Sequence, residues 1–248
     1  MVQNTYSDIK ITLTDTEDNV CIKKFKGTNG LTITRSQITK ASFTVSKEKF
    51  VPGITANSPV GTVGMLDELE GMVVELNGTK VVVATKNIGA TTIDGGAGST
   101  DPTEASCYGD YYSLIMSSNQ LIGASGWRLP TQSELSTLIS NDKLTWDIER
   151  HGAIWLVTDA ATLFLPAAGY YNYNNDESTG EVVGYEHIGE CGWYMCRIEQ
   201  NYYYALFFDK DNKQICTYSP LSSTFASLYQ PVPSYKCSIR AFHDMPTE

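Results

Sequence analysis

Short stretches in which apolar and polar residues alternate constrain the fold of this chain more than any other feature of its sequence. Near the N-terminus, Ile9, Ile11 and Leu13 alternate with polar neighbours. Because successive side chains of a β-strand point to opposite faces, this period predicts strands that each bury one face. In the C-terminal half, β-branched and aromatic residues predict further strands at 154–158, 162–166, 192–198, 202–208, 214–218 and 235–242. We therefore expect a chain dominated by β-sheet.

Residues 72–84 carry the clearest hairpin pattern. Two apolar stretches, Met72–Leu76 and Thr79–Ala84, flank the dipeptide Asn77-Gly78. Asn and Gly accept the two positive φ angles of a type I′ turn, whose twist matches that of a two-stranded hairpin. A tight antiparallel hairpin is predicted here.

One segment has the pattern of a helix. In Thr131-Gln132-Ser133-Glu134, the Thr131 hydroxyl can accept from the Glu134 amide while the Glu134 carboxylate reaches back to the Thr131 amide. Pro130 keeps the helix from starting earlier, and apolar residues follow at helical spacing. These features predict a helix over 131–140. A second helix is also compatible with 109–120, although the apolar residues there fit neither period.

The charge balance excludes some classes of function. The chain has 248 residues, of which 18 are Lys or Arg and 28 are Asp or Glu, so the formal net charge is −10. Nucleic-acid binding and polybasic membrane attachment need clustered cations, which this sequence lacks beyond Lys23-Lys24-Phe25-Lys26. No uncharged apolar run is long enough for a membrane span. We expect neither a nucleic-acid partner nor a membrane-spanning segment.

Patterns that bind metals are equally scarce. Six cysteines are scattered without a Cys-x-x-Cys pair, and only His151, His187 and His243 are present. A zinc site therefore has almost no support. The oxygen-rich stretches 174–177 and 209–212 could bind a cation weakly, but such strings are more often solvated turns. No metal and no cofactor is predicted.

The N-terminal fifty residues differ in organisation from the rest. A turn at Thr28–Gly30 is expected before a strand at Leu31–Ile33, and a third strand is expected at Ala41–Val45. Three strands with one apolar face are too few to form a stable sandwich by themselves. A polar stretch with Pro and Gly then suggests a hinge. The predicted divisions are residues 1–50 as a partial β-strand region, 51–59 as a linker and 60–248 as the main domain.

Four stretches of the main domain, taken in order, resemble one family. They are Thr79–Ala90, Tyr108–Tyr112, Gly126–Leu135 and Leu163–Tyr170. The Trp-Arg-Leu-Pro-Thr block at 127–131 is specific in combination with the Leu-Pro-Ala-Ala-Gly block at 165–169. Through these blocks, the chain resembles the Fibrobacter-type major paralogous domain over roughly residues 60–245. The resemblance implies a fold related to C-type lectins and to formylglycine-generating enzymes.

A second, shorter resemblance concerns the N-terminal strands. Residues 31–36 and 41–45 resemble the final strands of fimbrillin-like β-sandwiches of Bacteroidales-type surface proteins. Together the two resemblances imply an α+β fold: a C-type-lectin-like domain with mixed antiparallel sheets and one or two short helices, preceded by a few β-strands of a partial β-sandwich. They also imply a place at the cell surface, in the outer membrane or on a fimbria, and a lipoprotein-type signal in the upstream sequence would settle that location.

The residues of the two matching blocks are expected to be structural. Trp127 and Leu129 alternate inward, and the proline and threonine that follow start the helix. The first block therefore directs a helix against a sheet. The structural motif residues are Trp127, Arg128, Pro130, Thr131, Glu134, Pro166 and Gly169.

Groups that could perform catalysis are few. His187 is close in sequence to Cys191 and Cys196, as a base would be to its nucleophile, but small buried thiols in a β-rich segment explain both cysteines better. Formylglycine-generating enzymes depend on a pair of reactive cysteines in their closing strands, where this chain has only Cys237. The calcium motifs of C-type lectins are absent, and the nearest string is Gln230-Pro231-Val232. We expect a protein that is not an enzyme.

Aromatic residues are the main candidates for a binding surface. Several tyrosines precede, interrupt and follow the polar loop at 172–189. Adjacent tyrosines on a strand cannot all face the core, and exposed rings with polar neighbours suit sugar stacking or a protein interface. Ordinary surface tyrosines of a sheet would give the same pattern. The predicted ligand-binding residues are Tyr171, Tyr173, Asn174, Asp176, Tyr185 and Trp193.

Three functions are compatible with the sequence. The favoured hypothesis is a non-enzymatic adhesion or binding module, whose partner is a glycan or a host or matrix protein. The second is a structural pilus-type subunit that assembles with other fimbrial subunits by strand addition. The third is an enzyme of the formylglycine-generating type, which would need reactive thiols.

Overall fold

A computed structural model describes residues 3–34, 50–113, 126–140, 143–172, 184–197, 203–218 and 235–247. In these ranges the chain is mostly antiparallel β-sheet with one short helix, which confirms a β-rich α+β fold. The elements, in chain order, are β1 (Gln3–Thr14), β2 (Asn19–Thr34), β3 (Val51–Pro52), β4 (Val63–Leu66), β5 (Leu69–Leu76), β6 (Thr79–Ala84), β7 (Tyr112–Ser113), β8 (Trp127–Arg128), α1 (Gln132–Ser140), β9 (Leu144–Asp147), β10 (Gly152–Thr158), β11 (Ala161–Pro166), β12 (Tyr170–Asn172), β13 (Gly184–Glu186), β14 (Cys191–Met195), β15 (Tyr203–Asp209), β16 (Lys213–Tyr218), β17 (Tyr235–Cys237) and β18 (Phe242–Asp244).

The N-terminal strands form a sheet in the order β1-β2-β3. The turn that we predicted at Thr28–Gly30 is wrong, because β2 continues through these residues and pairs with β1 on both sides of them. The extra residues are accommodated by a register shift opposite Tyr6 and Asp8, which is how a β-bulge keeps two strands paired. The strand predicted at Ala41–Val45 lies outside the described residues.

The predicted linker contains ordered backbone contacts. β3 pairs with Asn19 and Val20 of β2, and Ile54 is buried, with its amide donating to the Met65 carbonyl at 2.9 Å. An ion pair of 2.8 Å joins Lys10 to Glu68 between the N-terminal sheet and the main domain. The proposed division at 51–59 stays a prediction.

A five-stranded sheet in the order β4-β5-β6-β18-β8 contains the predicted hairpin. β5 and β6 pair directly, and φ is 52° at Asn77 and 77° at Gly78. Both turn residues have the positive φ that a type I′ turn requires, so the hairpin prediction is confirmed. Val73 and Val82 face each other in this pair and are fully buried.

The predicted helix and its cap are confirmed. α1 begins at Gln132, the Thr131 amide donates to Glu134 Oε2 at 2.7 Å, and the Glu134 amide donates to Thr131 Oγ1 at 3.0 Å. Leu135 and Leu138 are buried against the neighbouring sheets. Of the second helix considered at 109–120, residues 114–120 are outside the described part of the chain, and Tyr112–Ser113 is a strand.

Two further three-stranded sheets, β11-β10-β9 and β14-β15-β16, enclose the core with the five-stranded sheet. The strands predicted at 154–158, 162–166, 192–198, 202–208 and 214–218 correspond to β10, β11, β14, β15 and β16. The single strand predicted at 235–242 is wrong, because β17 and β18 belong to different sheets.

Between β17 in the four-stranded sheet and β18 in the five-stranded sheet, the chain passes through Arg240, which is 3% exposed in the core. Its guanidinium donates to the Ala84 carbonyl at 3.0 Å and to the Phe164 carbonyl at 2.8 Å. Burial lowers the pKa of Arg240, since the interior disfavours its charged form. The crossing therefore ties β6, β11 and the closing segment together. Among the described residues, no helix is long and apolar enough to cross a membrane.

Candidate functional site: a tyrosine groove

A four-stranded sheet in the order β13-β12-β17-β7, here called the groove sheet, carries the exposed Tyr185 and the partly buried Tyr171. In its register, Tyr185 faces Tyr171, Tyr171 faces Lys236, and Lys236 faces Ser113. Directly paired residues lie on the same face, so these four side chains form one row across the sheet. Residues of the opposite face are buried, among them Tyr170, Asn172 and Cys237.

Three residues of this row, Tyr185, Tyr171 and Lys236, line a groove, here called the tyrosine groove, with a volume of about 600 Å³. A loop that precedes β7 forms its other wall and brings in residues from far away in sequence. The lining residues are Pro102, Thr103, Gly109, Asp110, Tyr111, Tyr112, Tyr171, Tyr185 and Lys236.

Three aromatic rings of the groove hold each other in place. The centroids of Tyr171 and Tyr185 are 4.9 Å apart at 73°, and those of Tyr111 and Tyr185 are 5.1 Å apart at 63°. Both are edge-to-face contacts, the arrangement that aromatic quadrupoles favour. The Lys236 ammonium lies 5.1 Å from the centroid of the Tyr171 ring, within the range of a cation–π interaction. Tyr185 is 48% exposed, so a large ring area stays accessible to a ligand.

The hydroxyls of Tyr111 and Tyr112 keep their protons at neutral and moderately alkaline pH. Burial raises the pKa of Tyr112 to about 12, with the Asp110 charge contributing, and burial also raises the pKa of Tyr111. The Tyr111 hydroxyl donates to the Ala168 carbonyl at 2.5 Å, and the Tyr112 hydroxyl is 3.4 Å from Asp110 Oδ2. Among the described lining residues, the groove therefore combines phenols, one carboxylate and one ammonium.

A carboxylate behind the groove sheet fixes the strands that carry Tyr171 and Tyr185. Glu186 Oε2 accepts from the Tyr170 hydroxyl at 2.8 Å, and Glu186 Oε1 accepts from Asn172 Nδ2 at 3.2 Å. These bonds join β13 to β12 on the side opposite the groove. The rings are consequently positioned before any ligand binds.

The structure brings together some of the predicted ligand residues and separates others. Tyr171 and Tyr185 line the groove. Trp193 does not, because it is 3% exposed and its ring packs in the core against Phe207, with centroids 5.0 Å apart. Tyr173, Asn174 and Asp176 lie outside the described residues.

Sequence reasoning missed Asp110, Tyr111, Tyr112 and Lys236 as groove residues. The first three belong to the stretch 108–112, which contributes to the family resemblance, and nothing in that stretch predicts that their side chains line a groove. Lys236 carries no local signal, because only the pairing of β12 with β17 places it beside Tyr171.

The residues of the first structural block make contacts that stabilise the fold. Arg128 donates to both carboxylate oxygens of Glu134, at 2.7 and 2.9 Å, and to Asp244 at 2.7 Å. Burial by itself would raise the pKa of Glu134, but the hydrogen bonds from Arg128 and Thr131 outweigh it and lower that pKa. Trp127 is buried, and its indole N–H donates to the Leu66 carbonyl at 3.1 Å.

Backbone carbonyls of the prolines in both blocks accept hydrogen bonds from the core. The Pro130 carbonyl accepts from the Arg197 amide at 3.0 Å, and the Pro166 carbonyl accepts from the Tyr194 hydroxyl at 2.9 Å. Gly169 has a φ of 60° and donates its amide to the Cys191 carbonyl at 2.8 Å.

The thiols of the described residues are suited to packing and not to nucleophilic attack. All six cysteines lie among the described residues, where they are buried and form no disulfide. Burial raises the pKa of Cys107 to about 11 and the pKa of Cys191 and Cys216 to about 12, so these thiols stay protonated at neutral pH. His187 Nδ1 contacts Glu190 Oε2 at 2.9 Å.

The oxygen-rich turn at 209–212 is closed on itself. Asp209 Oδ1 accepts from the amides of Asp211 and Asn212 at 2.7 and 2.6 Å. Such bonds are those of an Asx turn, which a carboxylate forms without a metal. No group of three or more His, Cys, Asp or Glu side chains with metal-binding geometry occurs in the part of the chain that the structure describes.

No family model, no curated protein and no solved structure matches the chain. The resemblance to the Fibrobacter-type major paralogous domain therefore stays a prediction.

Proposed function

We propose that this protein is a non-enzymatic binding module of a cell surface or a fimbria that recognises a glycan or a protein in the tyrosine groove. The sequence resemblances support the surface location, and the groove supports the binding role. The observation that carries the proposal is the row of Tyr185, Tyr171 and Lys236 in register across one face of the groove sheet, beside Asp110.

Several properties of the groove suit binding. Tyrosine offers a large contact area with few rotatable bonds, so little conformational entropy is lost when it contacts a ligand. The edge-to-face contacts and the Glu186 hydrogen bonds hold Tyr185 and Tyr171 in place, which lowers that loss further. The buried, protonated thiols and the turn at 209–212 supply no reactive group that would favour an enzymatic role instead.

Replacing Tyr185 tests the proposal. Intact protein is applied to arrays that carry glycans and extracellular-matrix proteins, and the captured partner is then titrated against Tyr185→Ala. Since a central, ordered aromatic residue contributes on the order of 2 kcal/mol to binding, we expect the affinity to fall at least about tenfold.

Leu156→Ala is the matched control. Leu156 is 44% exposed, which is close to the exposure of Tyr185, but it lies on β10 and does not line the groove. The affinity of Leu156→Ala for the captured partner should equal that of the unaltered protein. Unchanged binding by a folded Tyr185→Ala variant would show that the ligand binds elsewhere.

A further inference from the structure

We infer that the ligand of the tyrosine groove is an uncharged oligosaccharide whose chain runs across the strands of the groove sheet. This inference rests on the proposed function and narrows it to one class of ligand. Four observations lead to it: the charge of the groove, its volume, the direction of its row of side chains and its hydrogen-bonding groups.

The charges of the groove balance each other. Among the described residues that line it, one is acidic, Asp110, and one is basic, Lys236. A site that selects an anion concentrates cations, as Arg and Lys clusters do for phosphate, and a site for a cation lacks a competing ammonium. The whole chain has a formal net charge of −10, which further disfavours a sulfated or carboxylated ligand. The charges therefore favour a neutral ligand.

The volume favours a small ligand. At about 600 Å³, the groove falls within the range of about 300–1,000 Å³ that is usual for small-molecule sites. A stable protein partner would instead cover about 800 Å² of this protein's surface. The groove matches a segment of a chain of linked rings better than it matches a folded partner.

The row of side chains sets a direction. Tyr185, Tyr171, Lys236 and Ser113 follow one another across four paired strands. Neighbouring strands are about 4.8 Å apart, so the three residues of this row that line the groove, Tyr185, Tyr171 and Lys236, extend about 10 Å at right angles to the strands. A peptide added to a sheet runs along the strands and pairs with an edge. A saccharide chain needs no such pairing, and its pyranose units repeat at a similar spacing.

The hydrogen-bonding groups suit hydroxyls. A protonated phenol both donates and accepts, a carboxylate accepts, and an ammonium donates. Tyr171 and Tyr185 supply phenol groups on the groove face, and Asp110 and Lys236 supply the other two kinds of group. Sugar hydroxyls can pair with all three, while the apolar face of a pyranose packs on an aromatic ring such as Tyr185.

An array with matched glycans tests the inference. It carries neutral oligosaccharides of gluco, galacto and manno configuration, their sialylated and sulfated forms, and extracellular-matrix proteins as non-sugar probes. We expect the intact protein to bind a neutral oligosaccharide, to bind it more tightly than the monosaccharide, and to prefer it to its charged forms. Tyr185→Ala should weaken that binding at least about tenfold and Tyr171→Ala at least about fivefold, and Leu156→Ala should not weaken it.

A charge variant adds an independent measurement. Asp110→Asn removes the only carboxylate that lines the groove in the described residues, so the ratio of sialylated to neutral glycan affinity should rise severalfold. An unchanged ratio would contradict the argument from charge.

The outcomes separate the inference from the proposed function. The inference is overturned if the protein binds only a matrix protein, or if it prefers a sialylated or sulfated glycan to the neutral form. If Tyr185→Ala abolishes that binding, the proposed function still stands. The absence of any captured glycan also overturns the inference. Binding that none of the groove variants changes overturns both.

Discussion

At the scale of single residues, Gly169 links the structural block at 165–169 to the tyrosine groove. Its φ of 60° turns the chain directly before β12, and a Cβ there would lie 2.1 Å from the Glu186 carbonyl oxygen and 2.8 Å from the Ile188 amide. We expect Gly169→Ala to lower the free energy of unfolding by more than the about 1–2 kcal/mol that a left-handed conformation costs an L-residue. Urea denaturation followed by tryptophan fluorescence measures the loss.

Gly78→Ala separates strain from collision. Gly78 has a similar φ of 77°, but a Cβ there would meet nothing within 4 Å. Its loss of stability should therefore stay near the cost of strain alone. Equal losses at Gly78 and Gly169 would contradict the close approach to the Glu186 carbonyl.

At the scale of secondary-structure elements, α1 depends on its N-terminal cap. Thr131 Oγ1 accepts the Glu134 amide at 3.0 Å, which satisfies a donor that the helix itself leaves unpaired. Thr131→Ala should lower the free energy of unfolding by about 1 kcal/mol. Thr131→Ser keeps the capping hydroxyl and should therefore lose only a small part of that amount. Thermal unfolding followed by circular dichroism measures both.

Ser136→Ala is the control inside the same helix. It removes a hydroxyl from the helix interior, where alanine has the higher propensity, and so should leave stability unchanged or slightly raised. If Ser136→Ala and Thr131→Ala were equally destabilising, the cap would not be the cause.

At the scale of the whole molecule, the buried thiols predict a loss of stability in alkali. The pKa of Cys107 is raised to about 11 and that of Cys216 to about 12, whereas an exposed thiol ionises near 9. Below pH 9 the thiols are protonated in both states. Above it only the unfolded chain loses the protons, so the free energy of unfolding should fall by about 1.4 kcal/mol per pH unit for each such thiol.

Urea titrations between pH 8 and pH 11 in the presence of a reductant check this expectation. Because added negative charge also destabilises an acidic chain, Cys216→Val serves to isolate one thiol. Between pH 9 and pH 11, the free energy of unfolding of this variant should fall with pH less steeply than that of the unaltered protein, by about 1.4 kcal/mol per pH unit. Parallel slopes for the two proteins would show that Cys216 ionises in the folded state.

The features that could be predicted from the sequence are those in which neighbouring residues act on each other. The turn at Asn77–Gly78 and the cap at Thr131–Glu134 depend on dihedral angles and hydrogen bonds within a few residues, and both match the structure. The strands β10, β11 and β15 were also predictable, because alternation and β-branching reflect burial of one face.

The features that could not be predicted depend on pairing between residues that are far apart in the sequence. The sequence suggested one strand at 235–242, yet Cys237 pairs with Tyr112 and Phe242 pairs with Val83 in another sheet. Nothing local marks this crossing, because its cause is the hydrogen bonding of Arg240 to carbonyls 76 and 156 residues away. Trp193 was misplaced for a similar reason, since its burial depends on which sheets pack together.

Periodicity and capping are local properties, so the residues alone are enough to predict a β-rich α+β chain, a helix that begins after Thr131 and aromatic candidates for a binding surface. Which of the tyrosines share a surface depends on contacts between distant parts of the chain. Residues 110–112, 171, 185 and 236 meet in the tyrosine groove because of strand register and sheet order, and these are selected by the packing of the whole core.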